Sequence, residues 1–487
     1  MDQPPHKPDA PAESAFSEML RIAGPTVATM VSYTLMTFTD KWLVSNIGPD
    51  PIYVGAQGNG GIVSWIAISF CHGMLTIINT YVSQNLGAGK PERGPAYLWN
   101  GIYIGLAYWA VILLPLSLAL PWVFQIANVD PQQAKLASNY GQILLWGACF
   151  TMITRSLSQF FFGMHHARVI MISGILANIL NLVLSAVLTF GSEAPETLGM
   201  FGRCTNWIAS QFGVQKMGIA GSAIGTVVAT LLEAFIPACV FLGGSMHRKY
   251  GTRSAWRLSW PHVRDIIKLG WPGGVMFGNE MICWGFFMVH FVSQFGPEHA
   301  TAGWIAHQYM SLSFMPAVGL SVAATALVGK YQGMGRSDIA AKRAWLALKL
   351  AVVYMGVCAV VFVVFRHELI QAFVRDDTPN DQMIKVVSLG ANFLIATAAF
   401  QIFDAGAMTI SGALRGAGDT VVPGVVTVIA SWLVIVGGGF ALTNLFPNLE
   451  SLGGWIAAAS YICVLCVFLL FRFMSGKWKS IKVVHAA

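Results

Sequence analysis

Phe400-Gln401-Ile402-Phe403-Asp404-Ala405-Gly406, running on to Ser411-Gly412-Ala413-Leu414-Arg415-Gly416, puts a carboxylate in the middle of an apolar run from about 387 to 414. An acid at bilayer depth costs about 2.5–3.5 kcal/mol on insertion scales. A chain keeps such a group where it faces a cavity, an ion or a proton path. Asp40, Glu233 and Glu280 lie in comparable runs. The four acids are therefore the first candidates for function, and the runs that hold them decide the fold.

The 487 residues are 55% apolar and 10% charged, with a mean hydropathy of +0.62. Soluble chains carry about 25% charged residues, so this is an all-α integral membrane protein. A span needs about 20 apolar residues, and twelve runs qualify: about 20–45, 60–84, 96–124, 138–163, 168–190, 217–243, 268–295, 302–329, 341–365, 387–414, 420–445 and 452–474. All are too long for barrel strands. With both termini cytosolic, the inner loops hold Lys90, Arg93, Arg168, Lys330, Arg336, Lys342, Arg343 and Arg415, besides a basic linker and a basic C-terminal tail. The outer loops hold only Lys135, Arg203, Lys216, Arg366, Arg375 and Lys385. This is the positive-inside asymmetry. It accounts for the net charge of +7 without nucleic acid, and it places the chain in the plasma membrane (the inner membrane of a Gram-negative cell). The eight cysteines lie mostly inside spans and show no zinc spacing. The outer loop 191–216 holds Trp207 and Phe212, either on a short interfacial helix or as an aromatic anchor on a loop.

The chain repeats itself. Arg21-Ile22-Ala23-Gly24-Pro25 answers Lys268-Leu269-Gly270-Trp271-Pro272, and Gly73 and Gly87 answer Gly319 and Gly333 at a shift of 246. Two six-helix bundles with the same orientation follow: a disordered cytosolic tail 1–17, an N-terminal lobe 18–243, a cytosolic linker 244–267, a C-terminal lobe 268–474 and a basic tail 475–487. Parallel repeats of this kind occur in transporters that rock between two open states.

Asp40 closing the first helix, Asn178 and Asn181 in the fifth, Glu280 in the seventh, Ala306-His307-Gln308 in the eighth and Asp404 with its Ser-Gly-Ala-Leu-Arg-Gly tail in the tenth together resemble the multidrug and toxic compound extrusion family, in its NorM-type branch. The resemblance covers nearly the whole chain. It implies secondary active export of organic, cationic compounds in exchange for H⁺ or Na⁺, with no other cofactor. It also implies an ion site in the C-terminal half at Glu280 and Asp404, where Na⁺ would be the metal. Phe400 stands where NorM-type proteins often carry a tyrosine, so that hydroxyl is missing here.

Two carboxylates in a dehydrated cavity cannot both stay ionised without a cation, so Glu280 and Asp404 would take up a proton or Na⁺ as a coupled unit. Asp40 is the third coupling candidate. Asn178, Asn181 and Phe400 are assigned to the substrate cavity, although either asparagine also fits as interhelical glue. Glu233 is set aside as a structural acid, and His72, His290 and His307 as neutral, hydrogen-bonded histidines. Lys41 snorkels to the outer interface. Nothing resembles a Walker motif, so ATP is not expected to drive the protein, and no nucleophile–base set marks an enzyme. The expected partners are small organic cations and the lipid bilayer, with the chain acting as a monomer. The alternative is a lipid-linked precursor flippase of the same superfamily, which a strongly basic cavity would favour. Only Lys41 and Arg155 count as basic residues well inside spans.

Overall fold

The computed structural model describes residues 14–48, 52–373 and 380–483. All regular structure within them is helical. Twelve long helices follow the twelve apolar runs: α1 (Ala15–Ser45), α2 (Ile52–Gly87), α3 (Pro91–Ile126), α4 (Pro131–Gly163), α5 (Ala167–Phe190), α6 (Ile219–Leu242), α7 (Trp260–Phe295), α8 (Pro297–Gly333), α9 (Ser337–Val364), α10 (Asp381–Ala417), α11 (Val421–Leu445) and α12 (Ser451–Met474). Ten of them are long and apolar enough to cross a membrane. The other two, α1 and α4, are long but more polar. Thr26, Thr29, Thr34, Thr37 and Thr39 thread through α1, and Gln142, Arg155, Ser156 and Ser158 through α4. Away from water such hydroxyls must find acceptors in the protein. Thr29 Oγ1 donates to the Pro25 carbonyl at 2.8 Å and Ser156 Oγ to that of Met152 at 3.0 Å.

The helices overrun their apolar cores because polar ends continue the helix beyond the hydrocarbon. Ser14 caps α1 by accepting from the Ser17 amide at 3.1 Å. Ala15–Ser17, read as tail, are therefore helical, while residues 1–13 of that tail, Arg375 and 484–487 lie outside the described residues. Residues 260–267, read as linker, open α7. Gly199–Phe212 is a helix with Trp207 and Phe212 exposed, which resolves the choice left open for that loop. The C-terminal tail is docked: Trp478 is buried and stacks on Phe473, and Gln332 at the end of α8 donates to the carbonyls of Trp478, Lys479 and Ile481.

The two six-helix halves meet through α1, α2, α7 and α8, and the contacts repeat with the sequence. Gly73 lies against the Gly273 carbonyl, and its counterpart Gly319 lies against the backbone of Val27. Near the other ends of the same helices, a Cβ on Gly87 would overlap the Lys330 carbonyl, and one on Gly333 the Gln84 carbonyl. Small residues let backbones approach where no hydrophobic force drives helices together. Thr26 Oγ1 adds a hydrogen bond of 2.9 Å to the Gly319 carbonyl.

This second crossing closes the face at which α1 starts and α12 ends, the terminal face. Glu18, at the start of α1 ahead of its apolar run, is buried there. Its carboxylate accepts from Lys330 Nζ and Arg343 Nε, each at 2.8 Å, and from the Tyr331 hydroxyl at 2.9 and 2.8 Å. One residue of the first half thus holds three of the second. Burial opposes ionisation of Glu18, but Lys330, Tyr331 and Arg343 overcome it and hold the carboxyl at about 2. A depressed carboxyl contributes its stability above its unfolded value of 4.5 and loses it only as pH falls toward 2. Glu18→Gln is expected to destabilise the protein by about 1–3 kcal/mol. The difference between the two proteins in thermal unfolding should be the same from about pH 5.5 to 8. A difference that vanishes within that range would show that the carboxylate is not held ionised.

Candidate functional site

The unpaired acids of the C-terminal half come together. Glu280 is half-buried on α7 and Asp404 is buried on α10. They are close enough for their charges to act on each other, and both act on Tyr461 of α12. Neither carboxylate accepts a hydrogen bond or pairs with a cation among the described residues. Next to Glu280 the polar groups are already committed: Asn279 Nδ2 donates to Ser431 Oγ at 2.8 Å, and Asn279 Oδ1 accepts from Trp432 Nε1 at 2.7 Å. Both α7 and α11 take π-helical turns nearby, at Phe287–Val292 and Ser431–Gly437, a distortion common at functional sites. Two carboxylates and a phenol offer only oxygen ligands. That fits a proton or a hard cation such as Na⁺. No group of three or more His, Cys, Asp or Glu suited to a metal ion occurs among the described residues.

Phe400, one turn before Asp404, is fully buried in the hydrophobic cluster that also holds Phe393 and Trp455. With Ala396, Ile456 and Cys463 it lines an apolar groove of about 430 Å³ between α10 and α12.

Asp40 is not part of this pair. It belongs to a polar cluster of the N-terminal half, on α1, α5 and α6. Thr226 Oγ1 donates to Asp40 Oδ2 at 3.2 Å, and Asn181 Nδ2 donates to Thr226 Oγ1 at 3.2 Å and Ser185 Oγ at 3.3 Å. Asp40 Oδ1 and Asn181 Oδ1 are buried without partners among the described residues. Two acceptors left bare in one cluster suit a proton or a cation rather than another protein group. Lys41, its neighbour in sequence, is exposed.

Asn178 lies on a different part of α5 from the Asp40 cluster and donates to Ser32 Oγ. One turn before it, Gly174 faces Tyr33 and Glu233. Glu233, set aside from the sequence, is buried and accepts a hydrogen bond from Tyr33. The acid was legible as an oddity in an apolar run, whereas its partner, on another helix, was not. Arg415 also departs from its reading as an inner-loop residue: it lies inside α10 and is half-buried.

The family model described as MatE matches residues 25–187 and 279–439. Among known proteins, the chain is 27% identical to the multidrug resistance protein NorM of Burkholderia vietnamiensis, over 93% of this chain and 92% of that one. It is 25% identical to the multidrug resistance protein MdtK of Edwardsiella ictaluri, over 90% of each. Its fold is similar to that of a MOP superfamily transporter from Pyrococcus furiosus, with a TM-score of 0.82 at 18% identity over 96% of this chain and 98% of that one. A multidrug resistance MATE family transporter in an outward-facing conformation matches with a TM-score of 0.81, at 18% identity over 96% and 98%.

Proposed function

The chain belongs to the MatE family of transporters, and from that premise we propose that it is a multidrug efflux antiporter of the plasma membrane, exporting organic cations in exchange for H⁺ or Na⁺. The relatives named for multidrug resistance support the cargo. The observation that carries the coupling is the Glu280–Asp404 pair, two adjacent acids at membrane depth with no protein cation among the described residues. An ion entering from outside neutralises the pair and lowers the affinity of the cavity for a cationic compound. The positive-inside pattern makes the terminal face cytosolic, so the Glu18 network and the glycine crossing shut the cytosolic route and must separate for the compound to enter. The bundles then rock about their shared interface.

Energetics constrain the exchange. A charge crossing 100 mV gains about 2.3 kcal/mol, but a monovalent compound leaving against one entering cation cancels that gain. Only the chemical gradient, about 1.4 kcal/mol per tenfold ratio, then drives export, whereas two cations per compound recover the potential. Export of a fluorescent cationic dye, measured with the H⁺ and Na⁺ gradients collapsed separately, is expected to stop when one of them is lost. Export that survives the loss of both would exclude the antiport mechanism.

A further inference from the structure

Away from the acids, the start of α7 carries a pattern that the packing of the two halves does not use. Trp260, Arg264, Ile267, Lys268 and Trp271 recur at helical spacing, and all five are exposed. The other side of the helix is committed to the protein. Asp265, between the two basic residues, turns inward: Tyr97 of α3 donates to its carboxylate at 3.2 Å and Tyr81 of α2 to its carbonyl at 3.1 Å. Ser259, just ahead of α7, gives its amide to Asn100 Oδ1 of α3 at 2.8 Å. The exposed stripe is thus held in place. Neither Arg264 nor Lys268 has an ion pair or a side-chain hydrogen bond among the described residues.

Depth gives this stripe its meaning. The apolar run of α7 begins at Lys268, so the two cations stand at headgroup level and Trp271 about one turn inside the hydrocarbon. There the stripe opens onto a groove of about 170 Å³ between α7 and α11. Trp271 and Val275 line it from α7, and Val425, Val428 and Ile429 from α11. The two helices are fastened at this level. Thr420 Oγ1 donates to the Leu269 carbonyl at 2.8 Å, and a Cβ on Gly424 would come within 2.8 Å of the Pro272 ring. With its hydroxyl used there, Thr420 does not cap α11, and the positive end of that helix starts beside Leu269. Unpaired cations at headgroup level, continued on the same helix face by a wholly apolar groove, match a lipid with an anionic head and an acyl tail. A soluble anion would have no use for the groove, and a neutral lipid none for the cations.

We propose that α7 and α11 form a binding site for an anionic phospholipid of the leaflet at the terminal face. Arg264 and Lys268 hold its phosphate, and an acyl chain lies along Trp271, Val275 and Val425. Trp260 flanks the headgroup on the water side, where interfacial tryptophans are favoured. The lipid is a bound ligand on the outer surface of the C-terminal half rather than cargo, so the inference stands apart from the antiport reading.

The test follows the unfolding temperature of the full chain in dodecyl maltoside micelles, which a ligand of the folded state raises. Dioleoyl phosphatidylglycerol, dioleoyl phosphatidylcholine and glycerol 1-phosphate are titrated separately. Wild type is expected to half-saturate with phosphatidylglycerol at a concentration about tenfold or more below that for phosphatidylcholine. Arg264→Gln and Lys268→Gln should each weaken phosphatidylglycerol binding about fivefold, the contribution of one basic residue at an anionic surface. Val425→Trp, which fills the groove from its exposed rim, should weaken it by a similar factor with the charges intact. Arg248→Gln combined with Lys249→Gln removes two exposed linker charges elsewhere and should change the binding less than twofold. These side chains are exposed, and size-exclusion elution checks that each variant is folded. The wild-type comparison needs no variant: equal half-saturation by the two lipids would overturn the inference. So would an equal loss in the linker control, which would reduce the effect to general charge, or an equal rise with glycerol 1-phosphate, which would leave the groove without a role. A wild-type dimer that Val425→Trp converts to a monomer would give this face to a second copy and overturn it too.

Discussion

Asp404→Asn and Glu280→Gln are each expected to cut gradient-driven export of a cationic dye by about 10- to 100-fold, the range of a coupling free energy of roughly 1.4–3 kcal/mol. The substitutions keep size and shape and remove only the ability to ionise. Neither carboxylate accepts a hydrogen bond from the described residues, so the amides break no such contact within the protein, and the variants should express and elute like the wild type. A packing role predicts the opposite pattern, with normal export per folded molecule and lowered stability. The two acids act on each other, so their effects should not add: the double variant is expected to be little worse than either single one. Full export by both variants would make the acids structural and leave the Asp40 cluster as the remaining candidate for coupling.

Gly87→Val and Gly333→Val should be the most damaging substitutions remote from the acids. At each position the new Cβ would meet a main-chain carbonyl of the other lobe. A backbone oxygen cannot swing aside as a flexible side chain can, so the helices must part. Overpacking of this kind costs about 1–3 kcal/mol, and under the proposed rocking of the lobes the cost would fall only on the state with the terminal face closed. Thermal unfolding should drop, and dye export should fall about tenfold or more because one of the two states is penalised. Gly356→Ala is the control, since a Cβ there meets nothing within 4 Å. If the valine variants behaved like that control, the crossing would not be under close-packing constraint.

Much of the fold was legible because its signals are periodic and long. Twelve apolar runs, a lysine and arginine asymmetry and a shift of 246 residues survive errors of several positions. What the sequence hid was pairwise. Glu280 and Asp404 were paired because both are acids in apolar runs of the half where the resemblance implies an ion site. Asp40 was grouped with them because all three are acids in apolar runs, yet it lies on the other lobe with Asn181 and Thr226. Glu233 was set aside because it has no counterpart in the family the chain resembles, and nothing in its own run names Tyr33 as a partner. Arg415 looked like a loop residue because the apolar run stops just before it, whereas the helix runs on to Ala417. Helix ends follow hydrogen bonding and capping rather than hydropathy alone, so charged residues near span boundaries are the ones a hydropathy reading misplaces.

The glycine crossing has a bearing on how such a chain could arise. Gly87 touches the carbonyl of Lys330 while Gly333 touches that of Gln84, and each residue of one contact corresponds by the 246-residue shift to a residue of the other. Such a contact is isologous, of the kind a two-fold dimer makes with itself. A six-helix polypeptide inserted twice in the same orientation would present identical surfaces to its twin and could close on it through this crossing. Gene fusion would then need to supply only a connecting segment, after which the two copies were free to diverge, one keeping Asp40 and the other acquiring Glu280 and Asp404.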